Sequence, residues 1–162
     1  MKARKHISLL LLVLAVGLAG CGGNEQAGSG NPTGQNNAAA DASGLTPEQL
    51  EKGIGPVTHV ELGPLDEALA AKGEELFKVK CSACHKLDQR YIGPPLGDVT
   101  SRRSPEYIMN MILNPTEMVQ KHPEAKKLLA EYLAPMADQS LTEEEARAIL
   151  EYFRKVNPEQ GS

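Results

Sequence analysis

The feature that most constrains this chain is the run Cys-Ser-Ala-Cys-His at residues 81–85, in which an imidazole follows a pair of closely spaced thiols. On a helical turn the two sulfurs can reach the two vinyl groups of one porphyrin, and the adjacent histidine can bind the iron. The motif therefore predicts a c-type haem, bound covalently by Cys81 and Cys84 and ligated axially by His85.

A Cys-x-x-Cys pair alone would also fit half of a zinc site or a thioredoxin-like redox dithiol. Zinc would need two more ligands at similar spacing, and the only other cysteine is Cys21. A redox dithiol would need a strand before it and a helix after it, in a βαβ setting that the sequence does not indicate. Haem attachment is favoured over both.

The first twenty residues have the pattern of an export signal. Lys2, Arg4 and Lys5 precede a nearly uninterrupted apolar stretch over residues 7–20, which is short for a membrane span. We expect residues 1–20 to be a signal peptide that is removed during export.

Cys21 follows directly after Leu-Ala-Gly at 18–20, and this run resembles the lipobox of bacterial lipoproteins. The resemblance implies a lipidated Cys21, which would anchor the exported protein to a membrane on its periplasmic or extracytoplasmic side. The alternative is an ordinary signal peptide, which would leave Cys21 as an unpaired thiol in an exported protein.

Charge bears on the possible partners. Removal of residues 1–20 takes away three of the 17 basic residues and none of the 21 acidic ones, which leaves the mature chain with a formal charge of −7. Such an acidic chain argues against nucleic acid as a partner.

Two segments separate the signal from the main domain. Residues 21–44 are rich in Gly, Asn, Gln, Ala and Ser, which predicts a flexible tether. Residues 45–64 contain a possible helix start at Thr-Pro-Glu 46–48 and two Gly-Pro breaks, which predicts an irregular arm lying on the domain. The domain itself is expected over residues 65–158.

Several helices are predicted in that domain. The first runs from about Leu65 or Asp66 to Lys80, and its predicted buried face is Leu65, Leu69, Gly73, Leu76 and Phe77. A capping box of Thr142 and Glu145 starts the last helix. Its predicted apolar face is Ala146, Ile149, Leu150 and Phe153, and its predicted solvent face is Glu143, Glu144, Arg147, Glu151 and Arg154.

Two more helices are predicted between these. Ser104 and Pro105 start a middle helix that Asn114 and Pro115 stop. Its apolar residues Tyr107, Ile108, Met111 and Ile112 should pack on the porphyrin. His-Pro at 122–123 indicates the start of a surface helix over residues 124–133.

Over about residues 65–156 these features resemble a class I cytochrome c domain. The resemblance implies an all-α fold, with several helices wrapped around one covalently bound haem. It also implies that the first and last helices cross through Gly73 and Phe77 against Leu150 and Phe153. The carbonyl of Pro94 is then expected to accept a hydrogen bond from His85, which would hold the ring as a ligand.

The second axial ligand is implied by the same resemblance. Family members usually supply a methionine from a loop shortly before the last helix, and Met136 has that position. Met118, which is expected in the loop just beyond the Asn-Pro pair, is an alternative, as are His122 and an open site. Met109 and Met111 are expected to be core residues of the middle helix.

The predicted function is that of a respiratory electron carrier and not an enzyme. Partners of the resembled class would be a quinol-oxidising complex upstream and a terminal oxidase or nitrogen-oxide reductase downstream. The alternatives are a haem-based sensor or peroxidase-like protein with an open sixth position, and a structural lipoprotein that merely retains haem. Six cations near the motif would form either a basic rim for an acidic partner or merely solvated side chains: Lys78, Lys80, Lys86, Arg90, Arg102 and Arg103.

Overall fold

The structure is a computed structural model that describes residues 42–157. The predicted signal peptide, Cys21 and the tether up to residue 41 lie outside the described residues, as does Pro158. The described part is all-helical, as predicted, with no strand. Its helices are α1 (Pro47–Lys52), α2 (Glu67–Leu76), α3 (Val99–Arg102), α4 (Pro105–Leu113), α5 (Pro115–Lys121), α6 (Pro123–Tyr132) and α7 (Glu143–Val156). None of these helices is long and apolar enough to cross a membrane.

α2 carries the chain into the cysteine motif. The Asp66 side chain caps the helix by accepting the backbone N–H of Leu69 at 2.9 Å. The helix then widens into a π-helical turn over Phe77–Cys81, a local irregularity that is often found at functional sites. The backbone N–H of His85 donates to the carbonyl of Cys81 at 2.9 Å, so the motif continues from this turn.

α2 packs closely against α7. A Cβ added to Gly73 would overlap the carbonyl oxygen of Ala148, so only glycine allows this approach of the two backbones. The ring centroid of Phe77 lies 5.8 Å from that of Phe153 and 5.5 Å from that of Tyr152. The predicted contact of Gly73 and Phe77 with the last helix is confirmed. The group of α7 that faces Gly73 is the backbone carbonyl of Ala148.

α7 differs from its predicted solvent face at one position. Glu151 was expected to face water, but it is fully buried. Its carboxylate lies 3.2 Å from Arg147 and 2.6 Å from Arg154, and it accepts the backbone N–H of Asp66 at 2.9 Å. The prediction was wrong because two arginines on the same helix satisfy the charge, and a buried carboxylate is tolerated when it is paired.

Residues 45–64 pack on α4. The first of them form α1, which begins with a capping box of Thr46 and Gln49. Leu45, Ile54 and Val57 are buried, although the segment is otherwise irregular. Their burial makes this segment part of the packed structure.

Two expectations about α5 and α6 were wrong: the loop position of Met118 and the purely surface position of α6. Met118 lies in α5 and not in a loop, and it is fully buried. His122 is 1% exposed and caps α6, which follows at Pro123 as predicted. α6 ends at Tyr132, and the next residue, Leu133, caps it with a left-handed φ of 54°. α6 is not only a surface helix, because Leu128, Leu129 and Tyr132 line a cleft.

Candidate functional site

A largely apolar cleft holds most of the residues that the sequence singles out. Its space is about 1350 Å³ including the open mouth. Its walls come from α3, α4, α6 and α7, the loop after the cysteine motif and the loop before α7. Both thiols, the imidazole and one thioether line it: Cys81, Cys84, His85 and Met136. All four apolar residues predicted on α4 also line it: Tyr107, Ile108, Met111 and Ile112.

The orientation of His85 is fixed by its neighbours in the loop. Its Nδ1 donates to the carbonyl oxygen of Pro94 at 3.0 Å, which leaves the lone pair of a neutral ring on Nε2. Burial lowers the pKa of His85, while the bond to Pro94 opposes that shift. A Cβ on Gly93 would lie 2.5 Å from Cε1 of the ring. Glycine is therefore needed where the loop passes the imidazole.

Backbone hydrogen bonds hold this loop against the motif. The N–H of Gly93 donates to the carbonyl of Cys84 at 2.8 Å, and the N–H of Leu96 donates to the carbonyl of Lys86 at 3.0 Å. Pro94 lies between these two bonds. The position of its carbonyl is thus set by the motif that it supports.

The two thiols are free in the structure, with Cys81 half-buried and Cys84 exposed. Burial, together with the nearby Cys84, raises the pKa of Cys81 to about 11. Before a haem is attached, Cys81 is therefore a protonated thiol in this environment. Both sulfurs are available for thioether bonds at the edge of the cleft.

The candidate methionines are separated by position. Met136 is half-buried, packs against the main hydrophobic cluster and lines the cleft. The Met118 sulfur instead accepts the backbone N–H of Ile54 at 3.1 Å, and Met118 is absent from the lining of the cleft. Met109 is buried in the main cluster. Met111 lines the cleft from α4, whose inward face it shares with the other apolar residues.

A buried hydroxyl tests whether the cleft fits a haem. Tyr107 is 5% exposed, and its hydroxyl has no hydrogen-bond partner among the described residues. The Arg103 guanidinium lies 5.0 Å from the centre of the Tyr107 ring, and both residues line the cleft. A haem supplies carboxylates that such a donor and cation can bind. The apolar walls, paired thiols and unpartnered hydroxyl all fit this group.

Most of the expected basic rim is neutralised by neighbouring carboxylates. Within the described residues, four of the six cations form ion pairs of 2.8–3.0 Å: Lys78 with Glu74 and Glu75, Arg90 with Glu131, Arg102 with Asp98, and Arg103 with Glu124. Lys86 instead donates to the carbonyl of Ser82 and lies over the Tyr91 ring. These pairs weaken the prediction of a rim that steers an acidic partner.

Comparison with known families identifies the class of protein to which this chain belongs. The family model described as Cytochrome c matches residues 70–157, which is more than half of the chain. The chain belongs to the cytochrome c family. Members of that family carry covalently bound haem c, so its cofactor is one haem c.

Individual relatives are similar over different lengths. Cytochrome c-551 of Stutzerimonas stutzeri is 44% identical over 41 residues, covering 25% of this chain and 39% of that protein. Cytochrome c2 of Rhodopseudomonas palustris is 49% identical over 35 residues, covering 22% and 30%. The chain thus spans well under half of these two relatives. Cytochrome c-551 of Ectopseudomonas mendocina is 31% identical over 83 residues, covering 51% and 94%.

Solved structures give broader matches. A cytochrome c from Rhodothermus marinus is 56% identical, with a TM-score of 0.67, and the match covers 70% of this chain and 99% of that one. An engineered form of the Rhodothermus marinus protein, bound to a carbene intermediate, is also 56% identical, with a TM-score of 0.63 and coverage of 69% and 98%. These matches confirm the predicted class I cytochrome c fold.

Proposed function

We propose that this protein carries single electrons between respiratory redox partners while a lipid on Cys21 tethers it to a membrane. The observation that carries this proposal is the lining of one apolar cleft by both His85 and Met136. The relatives that share the family are cytochromes, which supports electron transfer over catalysis.

Each site residue has a role in the proposal. Cys81 and Cys84 would hold the haem through thioether bonds, and His85 and Met136 would bind its iron. Pro94 orients His85 through the 3.0 Å hydrogen bond from Nδ1, and this bond makes Nε2 more basic and so a stronger ligand for a metal. When bound, the haem iron supplies reversible one-electron chemistry between its ferrous and ferric states.

The protein's own residues decide which chemistry is accessible. With both His85 and Met136 bound to the iron, no position would remain for a substrate, and only electrons would enter and leave. A thioether ligand raises the reduction potential. The apolar lining of the cleft acts in the same direction, because a low dielectric disfavours the additional positive charge of the ferric form.

A second candidate function is a haem-based sensor or peroxidase-like protein with an open sixth position. Met136 is only half-buried and lies in an irregular segment between α6 and α7. An engineered relative is bound to a carbene intermediate, so that protein accepts a ligand. Binding of carbon monoxide to the untreated ferrous protein would favour this candidate.

The electron-carrier proposal is tested by deleting the gene and measuring respiration. We expect one terminal step, at an oxidase or a nitrogen-oxide reductase, to lose its electron supply from quinol. Wild-type protein should restore that supply, whereas Met136→Ala should restore it poorly. Normal respiration through every terminal enzyme in the deletion strain would contradict the proposal.

The tether is tested separately. Cells expressing the wild-type chain should incorporate labelled palmitate into it, and the protein should sediment with membranes. Cys21→Ala should abolish the label. A wild-type chain without label that is found in the soluble exported fraction would contradict lipidation and leave the electron-carrier proposal intact.

A further inference from the structure

The segment of residues 45–64, called the arm below, precedes the family match, which begins at residue 70. It packs on the side of α4 that carries Asn110, whereas Tyr107, Ile108 and Met111 of α4 line the cleft. α4 is therefore held between the arm and the cleft. Whatever fixes the arm also fixes one wall of the haem site.

Asn110 is the centre of this contact. It is 1% exposed, and its amide nitrogen donates to the carbonyls of Lys52 at 2.9 Å and Val57 at 2.8 Å. Its amide oxygen accepts the N–H of Val57 at 3.0 Å. A Cβ on Gly55 would overlap that oxygen. The arm is thus shaped around one buried amide that uses both its donors and its acceptor.

Two neighbours of Asn110 extend the contact along the same face. Glu106 lies four residues before Asn110 on the same face of α4, and Asn114, four residues after it, is the C-cap of that helix. Glu106 accepts the N–H of Val60 at 2.9 Å, and Asn114 donates to the carbonyl of Ile54 at 3.2 Å. All three side chains bond to backbone groups of the arm, and the Glu106 carboxylate also lies 3.9 Å from Nδ1 of His59 in the arm.

The arm also contacts α5 and the start of α6. The N–H of Ile54 donates to the Met118 sulfur at 3.1 Å. Nε2 of His122 donates to the carbonyl of Leu50 at 3.1 Å, while its Nδ1 accepts the N–H of Glu124 at 3.2 Å. Both nitrogens of the neutral ring are used, so one histidine caps α6 and ties it to the arm.

Apolar contacts join these helices to the rest of the molecule. Val57 belongs to the main hydrophobic cluster, whereas Leu45 and Ile54 belong to a second cluster with Tyr107 and Met118. α5 and α6 pack on one another, and α5 packs on α4. The arm therefore connects the two clusters along the side of α4 that carries Asn110.

We propose that the arm is a positioning element for the distal ligand: by locking α5 and α6 against α4, it holds Met136 at the cleft. α6 ends at Tyr132, and Met136 follows four residues later, so the helix that the arm anchors determines where this loop starts. The inference rests on the proposed ligation by Met136. Loosening the arm raises the fraction of molecules in which the distal position is open.

The test uses the ferric holoprotein and imidazole as a competing ligand. Asn110→Asp removes the two donors that bind the arm, and Gly55→Ala adds a methyl group that overlaps the Asn110 amide oxygen. These two substitutions are called the clamp variants below. Asn157→Asp is the matched control, because Asn157 is also buried and its amide donates to Thr100 and Ser101. Gly63→Ala is the control within the arm, since nothing lies near its added methyl group.

We expect both clamp variants to bind imidazole about tenfold more tightly than the wild type, because apparent affinity rises with the open fraction. The two controls should stay within about twofold on the same reasoning. Clamp variants that lose stability but bind imidazole as the wild type does would overturn the proposal.

Hydrogen exchange separates a failure of this inference from a failure of Met136 ligation. Amides of residues 134–141 should exchange faster in the clamp variants than in the controls. If the wild type lacks the optical band of methionine–iron bonding, the ligation proposal fails, and the exchange data still decide whether the arm fixes this loop. Unchanged exchange in the clamp variants would overturn the positioning role.

Discussion

Nδ1 of His85 and the carbonyl oxygen of Pro94 are joined by a hydrogen bond of 3.0 Å. The bond directs Nε2 away from the loop, and the missing side chain of Gly93 makes room for the ring. Because the same loop is bonded back to Cys84, the proposed attachment site and the support of the proposed ligand are one unit. A haem bound here meets an imidazole that is already oriented.

Gly73→Ala should destabilise the protein by about 2–3 kcal/mol, since overlap with the Ala148 carbonyl outweighs the better helix propensity of alanine. Urea unfolding of the holoprotein measures this. Gly63→Ala, in open space, should change the unfolding free energy by less than about 0.5 kcal/mol. Equal effects of the two substitutions would show that α2 and α7 are not in close contact.

Glu151→Ala should cost about 3–5 kcal/mol of stability, because it leaves Arg147 and Arg154 without the buried carboxylate between them. The matched control is Glu144→Ala on the same helix, whose side chain is 78% exposed beside Lys72. Its cost should be about 0.5 kcal/mol or less. Urea midpoints compare the two, and a small effect at Glu151 would contradict its burial.

The capping carboxylate of Glu145 should make stability depend on pH. Hydrogen bonds from Thr142, its backbone N–H above all, hold the pKa of Glu145 below the ordinary 4.5. A lowered folded-state pKa stabilises the fold above the unfolded pKa, and this contribution is lost as the pH falls through the folded value. The urea midpoint of Glu145→Gln should therefore lie furthest below that of the wild type above pH 4.5. The difference should shrink in acid, and a constant difference would contradict this role.

Substitution of the two candidate methionines should have opposite spectral results. Met136→Ala should abolish the weak far-red band of methionine–iron bonding and let the ferrous protein bind carbon monoxide. Met118→Leu conserves volume in the core and should keep the band, at a cost below about 1.5 kcal/mol. Loss of the band in Met118→Leu alone would reverse the assignment.

The motif and the helix ends were predictable because they depend on local chemistry. The spacing of Cys81, Cys84 and His85 indicates haem without any tertiary information. Ser104 and the pair Thr142 and Glu145 cap their helices as predicted, since a cap is satisfied within three residues.

What the sequence missed depends on partners that are distant in the chain. The burial of Glu151 was not predicted from periodicity, although arginines four residues before and three after it were a usable signal. The sequence around Arg90 and Arg103 does not indicate Glu131 and Glu124, the distant carboxylates that pair with them. The arm itself was predicted, but its contact with α4 was not, and Asn110, a polar residue inside the apolar run of α4, was the available sign of that contact.

The central claim is that one haem is bound through Cys81 and Cys84. Intact-mass spectrometry of the chain, exported from cells that mature c-type cytochromes, tests it most directly, with the double variant Cys81→Ser, Cys84→Ser as the control. The account predicts the added mass of one haem on the wild type after denaturation and none on the variant. A denatured wild-type protein with the mass of the polypeptide and its lipid alone would contradict it.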